Sequence, residues 1–396
     1  MNRALTVLYL AALIDAIGVG LIIPILPSLL RRLAGGGSTA MHYGALVSTF
    51  ALMQFLFAPL LGAASDRFGR RPVLLLSLLG GATDYLLTGF APSLWLLYVA
   101  RAIGGITAAN MAVIAATIAD VTPEGDRARR YGQLNAVMGI GWILGPILGG
   151  TLGQLWLVLP FLLAAALNGL NLLLAWFMLP EPDRVRDRST PIRLSQMNAF
   201  SSLRRLRTMP ALLPMIGIFC VMCVVGQIPI SLWVLYGQAR YAWTPLVVGC
   251  SFACYGLLFA LSQAFLTAPL IRGLGERGTI LLGMMLDAGG FLLMGLAGRG
   301  WMPFAIMPLL AGGGVGLPAL QGSMSRDVGP ARQGELQGTL SSLANLAGIG
   351  GPLLVTTLFA ATVHTLPGTV WFVGVAAYLA CAGLAARALI RRAAAD

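Results

Sequence analysis

The sequence predicts an all-α membrane protein of twelve transmembrane helices in two six-helix halves. Three observations predict it. Of 396 residues, 58% are hydrophobic and 10% are charged, whereas a soluble domain carries about 25% charged residues. Apolar runs long enough to cross a bilayer recur along the whole chain, and a helix satisfies every backbone polar group inside the hydrocarbon. An internal repeat then divides the runs into two sets. Gly145-Pro146 recurs as Gly351-Pro352, and Gly132-Gln-Leu134 as Gly338-Thr-Leu340 at the same offset. Arg67-Phe-Gly69-Arg70-Arg71 has a weaker copy in Gly273-Leu-Gly275-Glu276-Arg277, and Asp120-Val-Thr-Pro123 recurs as Asp327-Val-Gly-Pro330, one place out of step. Such a repeat implies two parallel halves about an axis along the membrane normal.

The first span, 4–30, holds Asp15; its apolar region is too long for a cleaved signal, and further spans follow. Spans 43–64 and 72–91 flank a short polar loop, and 94–119 carries Arg101. Span 131–155 is glycine-rich, and 158–179 carries Asn168 and Asn171. Pro180 to Met209 is the long polar segment, with seven arginines against three acids and a short surface helix expected near Ser195–Arg207. The second set of spans is 211–237, 245–271, 279–298, 301–323, 334–361 and 367–390. The domains are therefore an N-terminal half at 1–180, a linker at 181–209 and a C-terminal half at 210–396.

The net charge of +12 comes from arginine alone among the cations. Its distribution suits membrane topology better than nucleic acid. With the termini and the even-to-odd loops on one side, that side holds 21 arginines and the other holds four, Arg31, Arg32, Arg240 and Arg299. Positive charge accumulates on the cytoplasmic face, so both termini and the linker are expected in the cytoplasm. Without lysine there is no phosphate-binding lysine for an ATP-driven machine. The chain also lacks HExxH, a regional Ser/His/Asp set and metal-ligand clusters, so it is not an enzyme. The five cysteines lie in apolar runs, and the Cys220-x-x-Cys223 spacing reads as small helix residues because no polar or histidine partner lies nearby.

Ionisable groups inside a membrane cost free energy and mark function. Asp15, Asp84, Arg101 and Asp287 lie within spans. They are the candidates for proton coupling, since an acid whose arginine partner comes and goes is a proton switch. Of the polar residues in apolar spans, Gln54, Asn171, Gln227 and Gln321 join Asp84 and Asp287 as substrate-binding candidates. Phe50, Met222, Trp233 and Tyr236 are possible cavity-lining residues. In the loop Gly62-Ala-Ala-Ser-Asp66-Arg-Phe-Gly-Arg70-Arg71, one acid sits among arginines at a tight turn. Asp66, Arg70 and Arg71, with Asp120 and Arg127, are the candidates for a charge latch that holds one of two states. Gly141, Gly145, Gly149 and Gly150 with Pro146 space glycines along one helix face, which permits close helix contact and a kink.

The loop pattern G-x-x-x-D-R-x-G-R-R resembles the signature of the major facilitator superfamily, and the glycine pattern resembles that superfamily's antiporter motif, seen in exporters. Within it, Asp15-Ala-Ile-Gly-Val-Gly-Leu-Ile-Ile-Pro-Ile-Leu-Pro27, Ser65-Asp-Arg-Phe-Gly-Arg-Arg-Pro-Val-Leu74, Asp84-Tyr85, Ala165-Ala-Leu-Asn-Gly-Leu-Asn171, Leu317-Pro-Ala-Leu-Gln321 and Arg332-Gln-Gly-Glu-Leu-Gln-Gly338 look like the bacterial tetracycline/proton antiporters. The match runs in order over nearly the whole chain. The resemblance implies the major facilitator fold and export of a tetracycline–divalent metal chelate in exchange for protons. It implies no cofactor, with Mg²⁺ travelling on the substrate and no metal bound by the protein alone. It implies a monomer in the bacterial inner membrane whose partners are the drug, protons and lipid, with no nucleic acid. It also assigns the acids of helices 1, 3 and 9 to Asp15, Asp84 and Asp287. Family members commonly carry a histidine in helix 8, where this chain has Phe259, so coupling is expected to rest on carboxylates. The alternatives are a multidrug exporter of other range and an importer of a small nutrient of the same fold.

Overall fold

The computed structural model describes residues 3–34, 39–108, 110–179, 210–328 and 332–393. Proline and glycine decide where the apolar runs break. The first run becomes α1 (Arg3–Ile22) and α2 (Leu26–Ala34). Pro24 lacks the N–H that would continue the ladder, and the chain turns there through a bond from Ile25 N–H to the Ile22 carbonyl. The next elements are α3 (Thr39–Phe68), α4 (Arg70–Gly89), α5 (Leu94–Thr107) and α6 (Asn110–Val121). They are followed by α7 (Arg127–Leu155), α8 (Leu159–Met178) and α9 (Leu213–Tyr241). The series closes with α10 (Pro245–Phe265), α11 (Thr267–Leu296), α12 (Met302–Gly313), α13 (Gly316–Asp327), α14 (Gln333–Thr362) and α15 (Thr369–Ala393).

Among the described residues, eleven helical spans are long and apolar enough to cross a membrane, and the shorter apolar helix Thr369–Leu384 makes the set consistent with twelve. The sequence predicts 94–119 and 301–323 as continuous, yet each is two helices in line. The fourth span breaks at Ala108, between α5 and α6, and the tenth at Gly314–Val315, between α12 and α13. The predicted ninth span begins at 279, whereas α11 starts at Thr267 and kinks at Gly275. The linker at 181–209 and its expected surface helix lie outside the described residues.

Two compact units result. One comprises α1 to α8 together with Thr244–Ala253, and the other comprises α9, the rest of α10 and α11 to α15. In the first unit α1 packs on α7 and α8, α4 on α8 and α5, and α3 on α5. The predicted glycine motif makes the α1–α7 contact. A Cβ on Gly145 would lie 2.7 Å from the Ile17 carbonyl oxygen and 2.8 Å from the Gly20 Cα, and Gly141 and Gly149 meet α1 in the same way. Without a hydrophobic drive between helices in lipid, such small-residue seams supply association through close packing. Leu8, Leu74, Leu78, Ile114, Ile118 and Ala175 fill the core beside it.

In the second unit α9 packs on α14, and α11 packs on α15, α12 and α13. Its core is aromatic. Trp371 is flanked by Phe291 at 5.3 Å and Tyr236 at 5.7 Å, and the Tyr236 hydroxyl donates to the Met294 carbonyl. Tyr236 and Trp233 are therefore packing residues, both buried. Cys220 and Cys223 are free thiols partly buried on α9.

Candidate functional site

A cavity of about 340 Å³ lies within the first unit, lined in part by Asp15, Phe50, Gln54, Asp84, Asn110 and Asn168. Each residue arrives from a different element for a local reason. Asp84 stands on α4 against Gly104 of α5, where any Cβ would overlap the carboxylate. Arg101 is one turn earlier on α5 and pairs with Asp84 at 2.5 Å, with both side chains almost fully buried. Thr88 donates a second hydrogen bond to Asp84, at 3.2 Å. The Arg101 guanidinium also lies 5.7 Å from the Phe50 ring, a distance at which the ring quadrupole attracts a cation.

Asp15 is held differently. Its donor is the neutral amide of Asn110, at 2.7 Å, from the first residue of α6. The break between α5 and α6 frees backbone groups, and Gln54 donates to the Ala108 carbonyl there at 3.4 Å. Broken helices that line a cavity are the one setting in which free backbone is tolerated at membrane depth. Asn110 Oδ1, Asn168 Oδ1 and Ser77 Oγ are buried without a protein partner and line this same cavity. It is thus an acidic, amide-rich chamber with spare acceptors.

The predicted site residues divide. Asp15, Gln54 and Asp84 share the cavity, with Arg101 behind Asp84. Asn171 instead ties α8 to α1 by donating to the Ala11 carbonyl at 3.0 Å. Gln227 lies beside Gly351 on α14, and Gln321 is half-buried on α13. Asp287 lies against Gly313 of α12. Asn168, noted only as a polar residue of its span, lines the chamber. Gln263, a further polar residue in an apolar run, donates to the Gly314 carbonyl at 3.0 Å, where α12 ends. The signal for both was a polar side chain in an apolar run, which does not distinguish a lining residue from a helix tie.

At the loop, Arg70 bridges Asp66 at 2.7 Å and Asp120 at 3.0 Å, and bonds Ser65 Oγ. Gly69 makes the turn possible with φ 109° and ψ 155°, a region open essentially to glycine alone. Arg71 leaves the cluster for the Trp176 carbonyl and ring, and Arg127 opens α7 half-buried. The second unit repeats the device with its charges reversed. Gly275 has φ 69°, and the next residue, Glu276, pairs with Arg326.

The Major Facilitator Superfamily model matches residues 8–352. The chain is 48% identical over 380 residues to the class C tetracycline resistance protein of Escherichia coli, covering 96% of each chain. The chain belongs to the Major Facilitator Superfamily, among its tetracycline resistance proteins. The class G protein of Vibrio anguillarum is also 48% identical, over 93% of each chain, and the class B protein of Escherichia coli is 42% identical over 96% of this chain and 94% of its own. Among solved structures, the human organic anion transporter MFSD10 (TETRAN) superposes with TM-score 0.72 at 24% identity, covering 97% of this chain and 99% of that one. The nucleoside transporter NupG gives 0.77 at 14% identity, covering 98% and 99%. This superfamily member is thus a multi-pass transporter and not an enzyme. The chamber in its first unit brings buried charge to the wall of a cavity.

Proposed function

We propose that the chain exports tetracycline, as its complex with a divalent cation such as Mg²⁺, from the cytoplasm in exchange for protons, and so confers antibiotic resistance. The observation that carries this reading is the chamber holding Asp15, Gln54 and Asp84 within one unit of a chain so similar to tetracycline resistance proteins. A cationic chelate is attracted by a carboxylate facing such a cavity, and a proton neutralises that carboxylate. Binding and protonation then compete at one group, which is the simplest route to exchange. Asp84, held by Arg101, recognises the chelate, and Asp287 takes the coupling proton. Asp15 tunes α1, where Gly20 meets Gly145 and Pro146 of α7.

The protein acts as a monomer in the bacterial inner membrane with both termini in the cytoplasm, alternating between two access states. The Asp66–Arg70–Asp120 cluster favours one of them, because a contact made in only one state biases the equilibrium by its differential free energy. Each net positive charge entering per cycle releases about 2.3 kcal/mol per 100 mV, which sustains roughly a fiftyfold drug gradient at about 1.4 kcal/mol per decade.

Two measurements test the reading. Expression in a sensitive bacterium is expected to raise tolerance of tetracycline above that of unrelated antibiotics. Everted vesicles energised with an inside-acid pH gradient are expected to accumulate tetracycline only with a divalent cation present. Accumulation that ignores both the pH gradient and the cation overturns the proposal.

A further inference from the structure

Arg71 stands where α4 begins and α8 ends, and the sequence explains what it meets there. The Trp176 carbonyl would be bonded within α8 by the residue four places on, which is Pro180 and has no N–H. Arg71 Nη2 donates to that carbonyl instead, and its guanidinium lies 5.7 Å from the Trp176 ring. A cation at the C-terminal end of a helix is favourable. The contact fixes the arginine without balancing it, because a carbonyl and a ring face carry only partial negative charge. Arg70, its neighbour, holds both Asp66 and Asp120. Among the described residues no carboxylate pairs with Arg71, and its Nε is buried without a partner.

The surroundings of this charge are apolar and open. Trp176 and Phe177, at the end of α8, are both more than half exposed. The two helices pack on each other, and each leaves leucines exposed further from the loop, Leu76 and Leu79 on α4 and Leu170 and Leu173 on α8. Leu79 is eight residues beyond Arg71, about 12 Å along the helix. A fixed positive charge, an exposed indole and then an apolar surface follow the order of a phospholipid from phosphate to acyl chain. Tryptophan favours the headgroup level, and a guanidinium forks onto phosphate oxygens. Basic pockets between membrane helices take anionic head groups for this reason. A soluble anion would match the charge and leave the leucines uncovered.

We propose that Arg71 and Trp176 form a binding site for the headgroup of an anionic phospholipid whose chains lie along α4 and α8. Neither residue lines the chamber, and the site needs only the membrane-spanning fold, whatever the chain transports. Trp176 reports on it. Its emission is the difference between a protein and the same protein carrying W176F, both in phosphatidylcholine vesicles. A minor fraction of the lipid is brominated on its chains, as phosphatidylglycerol or as phosphatidylcholine. One arginine near an anionic surface corresponds to about fivefold enrichment. Brominated phosphatidylglycerol is therefore expected to quench Trp176 as well as brominated phosphatidylcholine does at about five times the fraction. R71Q is expected to lose this preference while Trp176 stays open to quenching by either lipid. R71K, which keeps the charge, and R67Q, which leaves the Arg71–Trp176 contact intact, are expected to retain it. Equal quenching by the two lipids in native protein overturns the proposal. So does a preference that R71Q keeps or that R67Q lowers as far, since it would belong to the arginine-rich loop as a whole. Glycerol phosphate, which offers the headgroup without the chains, is expected to leave the quenching unchanged, and displacement by it would assign the site to a soluble anion. Should R71Q fail to insert, native protein in vesicles containing photoactivatable phosphatidylglycerol reads the same site. Its label is expected on α4 and α8 beside Leu76 and Leu173, and label spread evenly over the lipid-facing helices overturns the proposal.

Discussion

At the scale of the residue, two acids stand in different settings, Asp84 against Gly104 and Arg101 and Asp287 against Gly313. Asp84 is buried, with 3% of its side chain exposed, and sits against Arg101. Removing one member of a buried ion pair strands the other and costs about 3–5 kcal/mol. Arg101→Ala is therefore expected to lower the unfolding midpoint of the detergent-solubilised protein sharply, and adding Asp84→Asn is expected to recover most of the loss. Recovery separates an ion-pair effect from loss of arginine packing, which the double substitution leaves unrepaired. Asp84→Asn alone is expected to weaken binding of the drug in a manner that depends on Mg²⁺, which equilibrium dialysis checks. Asp287→Asn, in contrast, is expected to bind drug still and to lose pH-driven uptake in everted vesicles. Full proton-driven uptake by Asp287→Asn would move the coupling role to Asp84 or Asp15.

At the scale of the element, glycine determines how near helices approach and where loops turn. The α1–α7 seam has no room for a side chain at Gly145. Overpacking of this kind typically costs about 1–3 kcal/mol, so Gly145→Leu is expected to reduce stability and transport together, while Gly139→Leu, with open space around it, is tolerated. Gly69→Ala forces a Cβ into the φ 109° turn, at a cost of about 1–3 kcal/mol, and displaces Arg70 from Asp120. Thermal unfolding of the two variants beside Gly139→Leu checks both statements.

At the scale of the whole molecule, the duplication explains paired features that no single element accounts for. Arg70–Asp120 and Glu276–Arg326 occupy matching positions with opposite polarity. Their exposure differs as well. Arg70 is 12% exposed and Arg326 is 66% exposed, and exposed pairs contribute little. Asp120→Asn, which breaks the buried pair, is accordingly expected to abolish transport with insertion intact, while Glu276→Gln costs at most a few-fold, measured as uptake per inserted protein. Topology has its own test. In a cysteine-free variant, cysteines placed at Ser93 and at Gly125 are expected to react with an impermeant reagent from opposite faces, Ser93 from outside the cell. Reaction of both from outside would refute the orientation drawn from arginine counts.

The membrane fold and its twelve spans were legible in the sequence because each depends on local or periodic signals. Hydrophobic length is additive along the chain, and Gly145-Pro146 and Gly351-Pro352 announce the repeat without any contact being known. The turn at Gly69 was legible for the same reason, since few residues adopt its dihedrals. The acids were legible as costly exceptions in apolar runs. Which group each acid meets was not. That Arg101 takes Asp84, that Asn110 takes Asp15 and that Asn171 serves as a helix tie follow from the rotation of α4, α5, α6 and α8 about their own axes. That rotation is set by the packing of many small residues at once. The breaks at Ala108 and Gly314 were likewise hidden, because a helix break in an apolar run is stable only when a neighbouring helix supplies a donor. Gln54 and Gln263 do so from α3 and α10, and only the tertiary structure brings them there.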